Sequence, residues 1–291
     1  MYSLLKKYKL SAIHIMVVIL GFTGILGKLI SLDAIHLVWY RMGIAFVALA
    51  LFLYIKNQLF SISKNSFFKL LGVGALVTIH WICFFQSIKV STVSVAVVCM
   101  ATSSLFSALI EPIFFKRKIL GYEVIMGIIV VLALAFVMGT ETKYILGYFY
   151  GILAALFGTL FTLFNAKYIK EIGAAQITMI EMLSGILIIS CLFIFQQDYS
   201  IINTTISLTD FYYLLILAVI CTALVFVWMT EIMRHVSPYS LIMAINLEPI
   251  YSILLALVFF GENELMSISF YIGSSVIIGI VFLEGYLKNK Q

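Results

Sequence analysis

A carboxylate, an amide and a proline lie together in the middle of a long apolar stretch. Residues 236–261 read VSPYSLIMAINLEPIYSILLALVFFG, with Asn246, Glu248 and Pro249 near the centre. About 20 helical residues span the hydrocarbon core of a bilayer, so this stretch is long enough to cross one. A carboxylate at that depth is costly unless it faces a bundle interior or a water-filled path. Pro249 also deprives the Ile245 carbonyl of its intrahelical donor, which predicts a kink.

An ionisable group beside freed backbone at mid-depth is typical of a transport site. Glu248 is therefore predicted to lie on a substrate or ion pathway, and protons are a candidate coupling ion because a buried carboxyl can load and release one. The alternative interpretation is that Glu248 is a protonated structural group that hydrogen-bonds two helices together.

Four more ionisable side chains fall inside apolar segments, and one of them, Glu111, lies close to the cytoplasmic end of its segment. Arg41 could bind a substrate carboxylate or phosphate, or its side chain could extend to the lipid headgroups. His80 could be a proton-linked group or a hydrogen-bonded core histidine. Glu181 aligns with Arg41 between the two halves of the chain, and we expect the two to lie near opposite faces without forming an ion pair.

Neutral polar and aromatic side chains complete the candidate pathway. Trp81 and Trp228 lie deep in their segments, where they could wall a cavity for an apolar or amphipathic solute. Asn165 and Asn246 offer neutral donors and acceptors to such a solute. The four cysteines stand alone in apolar runs, so neither a metal site nor a disulfide framework is predicted, and no cofactor is expected.

Composition places the chain in a membrane. Of its 291 residues 64% are hydrophobic and 11% charged, and the mean hydropathy is +1.16, whereas soluble domains are about 45–50% apolar and 25% charged. The long apolar runs predict an all-α integral membrane protein with ten transmembrane helices. The predicted segments are about 10–30, 34–55, 67–87, 91–115, 121–139, 147–167, 174–195, 211–231, 238–260 and 267–286.

The basic residues predict the orientation. If the N-terminus is cytoplasmic, 14 of the 18 Lys and Arg residues lie on the cytoplasmic side, and only Lys28, Lys89 and Lys143 lie outside. This bias predicts that both termini are cytoplasmic and that the protein is a multi-pass protein of the cell (inner) membrane. It also accounts for the net charge of +5 without a nucleic-acid partner. The basic start precedes a first spanning helix rather than a cleaved signal peptide.

The chain repeats itself. The stretch that begins VSTVSVAVVCMATSS at Val90 matches the stretch that begins at Val236 without a gap, and the same offset aligns Gly127 with Gly273. Each repeat has five predicted helices, 9–139 and 147–285. Because five is odd, the second repeat enters the membrane from the opposite side, which predicts two inverted halves related by a pseudo-twofold axis in the membrane plane.

These two stretches, ending in FFKRK and FFGENE, together with FFQSIKVSTVSVAV and MTEIMRHVSPYSLI, resemble the drug/metabolite transporter superfamily, EamA type. The resemblance covers nearly the whole chain and implies a ten-helix inverted-repeat secondary carrier with a central cavity. It is nearly silent on substrate. One departure is that Ser103 stands where the second repeat has Pro249, while the first repeat carries Glu111-Pro112 further on. Kinks are therefore predicted at Pro112 and Pro249, so that the two halves bend at non-equivalent points.

No nucleotide-binding loop, HExxH or GxSxG motif is present, so the sequence does not predict an enzyme. We predict a secondary transporter that moves a small metabolite, an amino acid or amphipathic compound, outward by alternating access, as a monomer or homodimer in the lipid bilayer. The alternative is a non-transporting membrane protein, such as a lipid-modifying enzyme or a sensor. A channel would need rings of polar residues, which the sequence does not suggest.

Overall fold

The computed structural model describes residues 9–58, 62–198 and 205–288, and this part of the chain is helical without a strand. Helices satisfy their own backbone polar groups, as a lipid-embedded chain must. The helices are α1 Lys9–Leu29, α2 Ala34–Ile55, α3 Lys64–Val90, α4 Val93–Met100, α5 Ser103–Phe115, α6 Gly121–Thr140, α7 Ile145–Tyr168, α8 Ala174–Phe195, α9 Leu208–Leu215, α10 Val225–Ile232, α11 Pro238–Ile245, α12 Glu248–Phe260 and α13 Ile268–Lys288. A π-helical segment, Ile216–Leu224, joins α9 to α10.

Eight helical stretches are long and apolar enough to cross a membrane. They are Ala34–Ile55, Lys64–Val90, Val93–Phe115, Gly121–Thr140, Thr142–Tyr168, Ala174–Phe195, Leu208–Ile232 and Pro238–Glu264. Two shorter apolar helices, His14–Leu29 and Ile268–Ile280, lie at the ends of the described chain. The predicted all-helical membrane class is thus confirmed, while the number of crossings stays a prediction.

Hydroxyl and carboxylate side chains set where several helices begin. Asp33 accepts hydrogen bonds from the backbone N–H groups of Ile35 and His36 at the start of α2. Thr92 and Ser237 accept from Val95 and Ser240 at the starts of α4 and α11. These caps satisfy N–H groups that have no partner inside the helix.

The two halves of the chain meet through equivalent helices. α2 packs on α8, and α6 packs on α13. The α4–α5 pair crosses the α11–α12 pair, so that α4 contacts α12 and α5 contacts α11. The broken helices therefore cross at the interface between the two halves.

Both crossing helices break after eight residues and resume for thirteen. The breaks fall at Ala101–Thr102 and Asn246–Leu247, which lie within one residue of equivalent positions in the two repeats. The first half therefore has a break that was not predicted, whereas a kink at Pro112 stays a prediction.

Hydroxyl groups replace proline in the first half. Thr102 Oγ1 donates to the carbonyl of Cys99, and Ser104 Oγ donates to that of Ala101, each at 2.8 Å. Hydroxyls that bond to carbonyls of the preceding turn bend helices, and the backbone here tightens into 3₁₀-type bonds such as Thr102 N–H to Cys99 O. In the second half Pro249 is the second residue of α12, whereas α5 continues through Pro112 to Phe115.

Candidate functional site

A cavity lies between the two halves, and both halves line it. Its free volume is about 80 Å³. A water needs about 10–15 Å³ by this measure, so in this conformation the cavity has room for several waters. The polar residues that line it are Thr23, Arg41, His80, Ser103, Thr159, Thr162 and Glu248. The larger apolar ones are Leu20, Trp81, Phe84, Met100, Phe161, Phe226, Met229, Ile242 and Ile245.

Arg41 is the cation of this cavity. It is 1% exposed, and its Nε donates to Thr222 Oγ1 at 2.6 Å. The guanidinium carbon lies 3.8 Å from the centre of the Trp81 ring, which is a cation–π arrangement. Among the described residues Nη1 has no hydrogen-bonding partner. Arg41 is thus fixed by Thr222 and Trp81, and its buried Nη1 can donate a hydrogen bond to another group.

The π-helical segment places Thr222 against Arg41. The Thr222 hydroxyl donates to the carbonyl of Leu217, five residues earlier, at 2.6 Å, while its oxygen accepts from Arg41. π-helical segments are rare and are found frequently at functional sites. Thr222 was not predicted as a site residue, because one threonine in an apolar run does not reveal a π-helical register.

Glu248 is the anion of the cavity. It is 8% exposed and is the first residue of α12, whose N-terminal end favours negative charge. Arg41 and Glu248 interact electrostatically, yet among the described residues their side chains form no ion pair within 4 Å. The cavity therefore has a cation and an anion in its walls that do not neutralise each other by direct contact.

His80 lines the cavity and is hydrogen-bonded to the backbone of α7. Its Nδ1 lies 2.7 Å from the carbonyl of Ala154, and a carbonyl only accepts, so Nδ1 carries the proton. In the neutral ring Nε2 is then the acceptor. Phe84 stacks at 6.3 Å and Phe161 meets the ring edge-on at 5.3 Å. Gly158 allows this close approach, since a Cβ there would lie 3.0 Å from the imidazole.

The structure divides the predicted pathway residues into two groups. Arg41, His80, Trp81 and Glu248 line the cavity together. Asn246, Asn165, Glu181 and Trp228 are not among the residues that line it. Asn246 lies at the helix crossing, where its Oδ1 accepts a hydrogen bond from Ser103 Oγ at 3.1 Å. Asn165 lies beside Glu181 on the α7–α8 side, and Trp228 is half-buried on α10.

A carboxylate from the second half caps the N-terminal end of α4. Glu264 is fully buried and accepts hydrogen bonds from the backbone N–H groups of Val93 and Ser94 at 3.0 and 3.2 Å, and from Ser94 Oγ at 3.0 Å. Lys28 donates to the same carboxylate at 2.6 Å. We call these four residues the Glu264 clamp.

A carboxylate from the first half caps the N-terminal end of α11 in the same way. Glu111 accepts a hydrogen bond from the backbone N–H of Tyr239 at 2.8 Å and pairs with Arg117 at 3.2 Å. We call these three residues the Glu111 clamp. Tyr239 is the repeat equivalent of Val93, so α4 and α11 each begin at a carboxylate of the opposite half. At 1.5 Å per residue, the clamps lie about 27 Å apart along α4–α5.

Arg117 stays charged in the Glu111 clamp. Burial disfavours the charge, but the hydrogen bonds and charges of Glu123 and Glu111 outweigh it and raise the pKa of Arg117 above its ordinary value. The position of Glu111 near a helix end could be predicted from the sequence, but neither clamp could. A carboxylate that caps a helix of the other repeat leaves no local spacing pattern.

Comparisons with known proteins bear on the family and the fold of the chain. Residues 8–139 and 145–284 each match the model of the EamA-like transporter family, so the match occurs twice along the chain. No curated protein matches the chain. A solved crystal structure is similar with a TM-score of 0.71 at 13% identity, covering 96% of this chain and 98% of the other. At that identity the likeness shows the shared fold alone.

Proposed function

The chain belongs to the EamA-like transporter family, and on that premise we propose that it is a secondary carrier of a small zwitterionic, amphipathic metabolite, of which an amino acid is the best fit. The observation that carries this proposal is the pair of opposite charges, Arg41 and Glu248, in the walls of one cavity between the two halves.

The cavity matches the chemistry of an amino acid. A carboxylate can accept hydrogen bonds from the unpartnered Nη1 of Arg41, and charge-assisted bonds of this kind are the strong ones. An ammonium group can bind Glu248. The apolar remainder can lie on Trp81 and Phe226, whose rings meet at 4.8 Å. A solute with only one charge would leave the other wall charge without a partner.

The orientation completes the proposal. Ten crossings with both termini in the cytoplasm put the Glu111 clamp on the cytoplasmic side and the Glu264 clamp on the outer side, in the cell membrane. This placement follows from the distribution of lysine and arginine residues. We propose outward movement of the metabolite.

Alternating access then has a concrete form in this fold. Opening the cavity to the outside separates Glu264 from the start of α4, and opening it to the cytoplasm separates Glu111 from the start of α11. The two tightened turns at Ala101–Thr102 and Asn246–Leu247 are the hinges. Because each clamp joins one half to the other, only relative movement of the halves breaks it.

Counterflow in proteoliposomes tests the proposal. Vesicles loaded with unlabelled L-leucine should take up labelled L-leucine faster than empty vesicles. Arg41→Gln and Glu248→Gln should each reduce that exchange at least tenfold, while Arg234→Gln, which removes a guanidinium of the α10–α11 turn, should not. Counterflow absent from the wild type for a panel of labelled amino acids and other zwitterions would contradict the carrier and favour a non-transporting membrane protein.

A further inference from the structure

Glu181 and Asn165 form a buried polar pair outside the cavity. Both side chains are fully buried, and Asn165 of α7 lies beside Glu181 of α8. Among the described residues neither carboxyl oxygen of Glu181 and neither amide atom of Asn165 has a partner at hydrogen-bonding geometry. The pair thus has four buried polar atoms that can each form a further hydrogen bond.

The other buried carboxylates of the described chain are compensated. Glu264 has Lys28, and Glu111 and Glu123 share Arg117. Glu141 lies 4.0 Å from Lys143 and accepts from the backbone of Ser267. Asp210 accepts two hydrogen bonds from Ser31, and Glu248 faces the charge of Arg41. Glu181 alone among them has no cation beside it, and its one polar neighbour is the neutral amide of Asn165.

The helices packed on α8 bring no charge to Glu181. Arg41 of α2 and His80 of α3 line the cavity instead. Lys64 lies in a groove on the other face of α8, beside Met179, Ile180 and Leu183. Glu231 of α10 pairs with Arg234, and Lys167 of α7 is exposed. The electrostatic surroundings of Glu181 contain Asn165 but no ionised group.

An ionised carboxylate without water or a counter-charge is too costly to keep. We propose that Glu181 is a proton-binding site, separate from the solute cavity, whose proton moves in exchange for the exported solute. This inference rests on the proposed carrier function. It assigns the coupling proton to Glu181 rather than to Glu248, whose charge Arg41 offsets and whose role is to bind the solute.

The fold supplies a short path between the two sites. Thr162 lines the cavity, and Asn165 follows it by one helical turn, about 5 Å along α7. A neutral carboxyl group can donate its proton to Asn165 Oδ1, and the Asn165 amide can donate to the carboxylate after release. Gly74 lets α3 pack closely on Glu181, because a Cβ there would lie 2.8 Å from the Glu181 backbone. Proton exchange therefore requires the helix packing to loosen, which ties it to movement of the halves.

The transport experiment compares Glu181→Gln with the wild type and with Glu231→Gln, a control on neighbouring α10. Glutamine resembles the protonated carboxyl and cannot release a proton. We expect counterflow of labelled L-leucine within about twofold of the wild type, but loss of at least tenfold in accumulation driven by a pH gradient and in the proton flux seen with a trapped pH dye. Glu231→Gln should leave all three unchanged.

Two results would overturn the proposal. One is accumulation by Glu181→Gln that still follows the pH gradient as in the wild type. The other is wild-type accumulation that follows a sodium gradient and disappears in choline buffer, which would make the ligand sodium rather than a proton.

An infrared measurement needs no transport. Purified wild type in lipid should show the carbonyl stretching band of a protonated carboxylic acid at neutral pH. The band should lose intensity in Glu181→Gln and persist at a shifted position in Glu181→Asp, while thermal unfolding shows that both variants are folded. The same band in wild type and Glu181→Gln would overturn the protonated assignment even if no solute were ever identified, and it would leave the carrier proposal standing.

Discussion

Ser103 of the first half donates a hydrogen bond to Asn246 of the second half at 3.1 Å, at the point where the two broken helices cross. Ser103 is the first residue of α5, and Asn246 follows the last residue of α11. The polar contact therefore joins the two hinges themselves. A change in the bend of one helix would therefore strain or break this hydrogen bond to the other helix.

Removing this contact should weaken the crossing modestly. Hydrogen bonds between membrane helices contribute about 0.6 kcal/mol on average and up to about 1.7, so Ser103→Ala should lower the free energy of unfolding by that order. Ser107→Ala is the matched control, because Ser107 is equally buried on the same helix and its hydroxyl has no partner among the described residues. Unfolding titrations in mild detergent would measure both. Equal effects of the two substitutions would contradict a specific role for the Ser103–Asn246 contact.

Thr222 should tune solute affinity through Arg41. Thr222→Val keeps the shape of the side chain but removes the oxygen that accepts from Nε, and hydrogen bonds to charged groups contribute about 1.5–3 kcal/mol. About 1.4 kcal/mol is a tenfold change, so the KM for L-leucine should rise at least tenfold with little change in maximal rate.

Two controls separate positioning from folding at this residue. Thr222→Ser should restore most of the affinity, because it restores the oxygen. Thr230→Val removes a buried hydroxyl that has no partner among the described residues and should have little effect. A fall in maximal rate with unchanged KM in Thr222→Val would argue against a role in orienting Arg41.

Each clamp should hold one side of the cavity shut. In a variant without native cysteines, Thr159→Cys places a thiol at the cavity wall. Adding Glu264→Gln should raise its labelling by an impermeant maleimide from outside several-fold, because a neutral amide loses the ion pair with Lys28. Adding Glu111→Gln should raise labelling in inside-out vesicles instead. Unchanged labelling in both double variants would contradict the clamps as gates.

The sequence predicted the class of fold because the features that indicate this class are patterns along the chain. Apolar runs, loop charges and the repeat at Val90 and Val236 are all read along the chain. It also brought forward Arg41, His80, Trp81 and Glu248, since ionisable and large aromatic groups stand out in apolar segments.

What the sequence could not predict depends on register and on distant pairing. Thr222 reaches Arg41 only because nine residues adopt a π-helix. The bend at Thr102 was missed because a search for proline overlooks hydroxyls that bond to the preceding turn. Glu264 caps a helix 170 residues earlier in the chain, which no spacing rule connects. Glu181 and Glu248 read alike as intramembrane acids, and only their surroundings separate them.

Recognition of both ends of the solute is the most direct test of the account. Counterflow of labelled L-leucine should be inhibited by unlabelled L-leucine but at least tenfold more weakly by its methyl ester and by N-acetyl-L-leucine, each of which lacks one charge. Arg41→Gln should abolish the preference for the free carboxylate, and Glu248→Gln the preference for the free ammonium. If both variants discriminated among the three compounds as the wild type does, Arg41 and Glu248 would not bind the solute and the account would be contradicted.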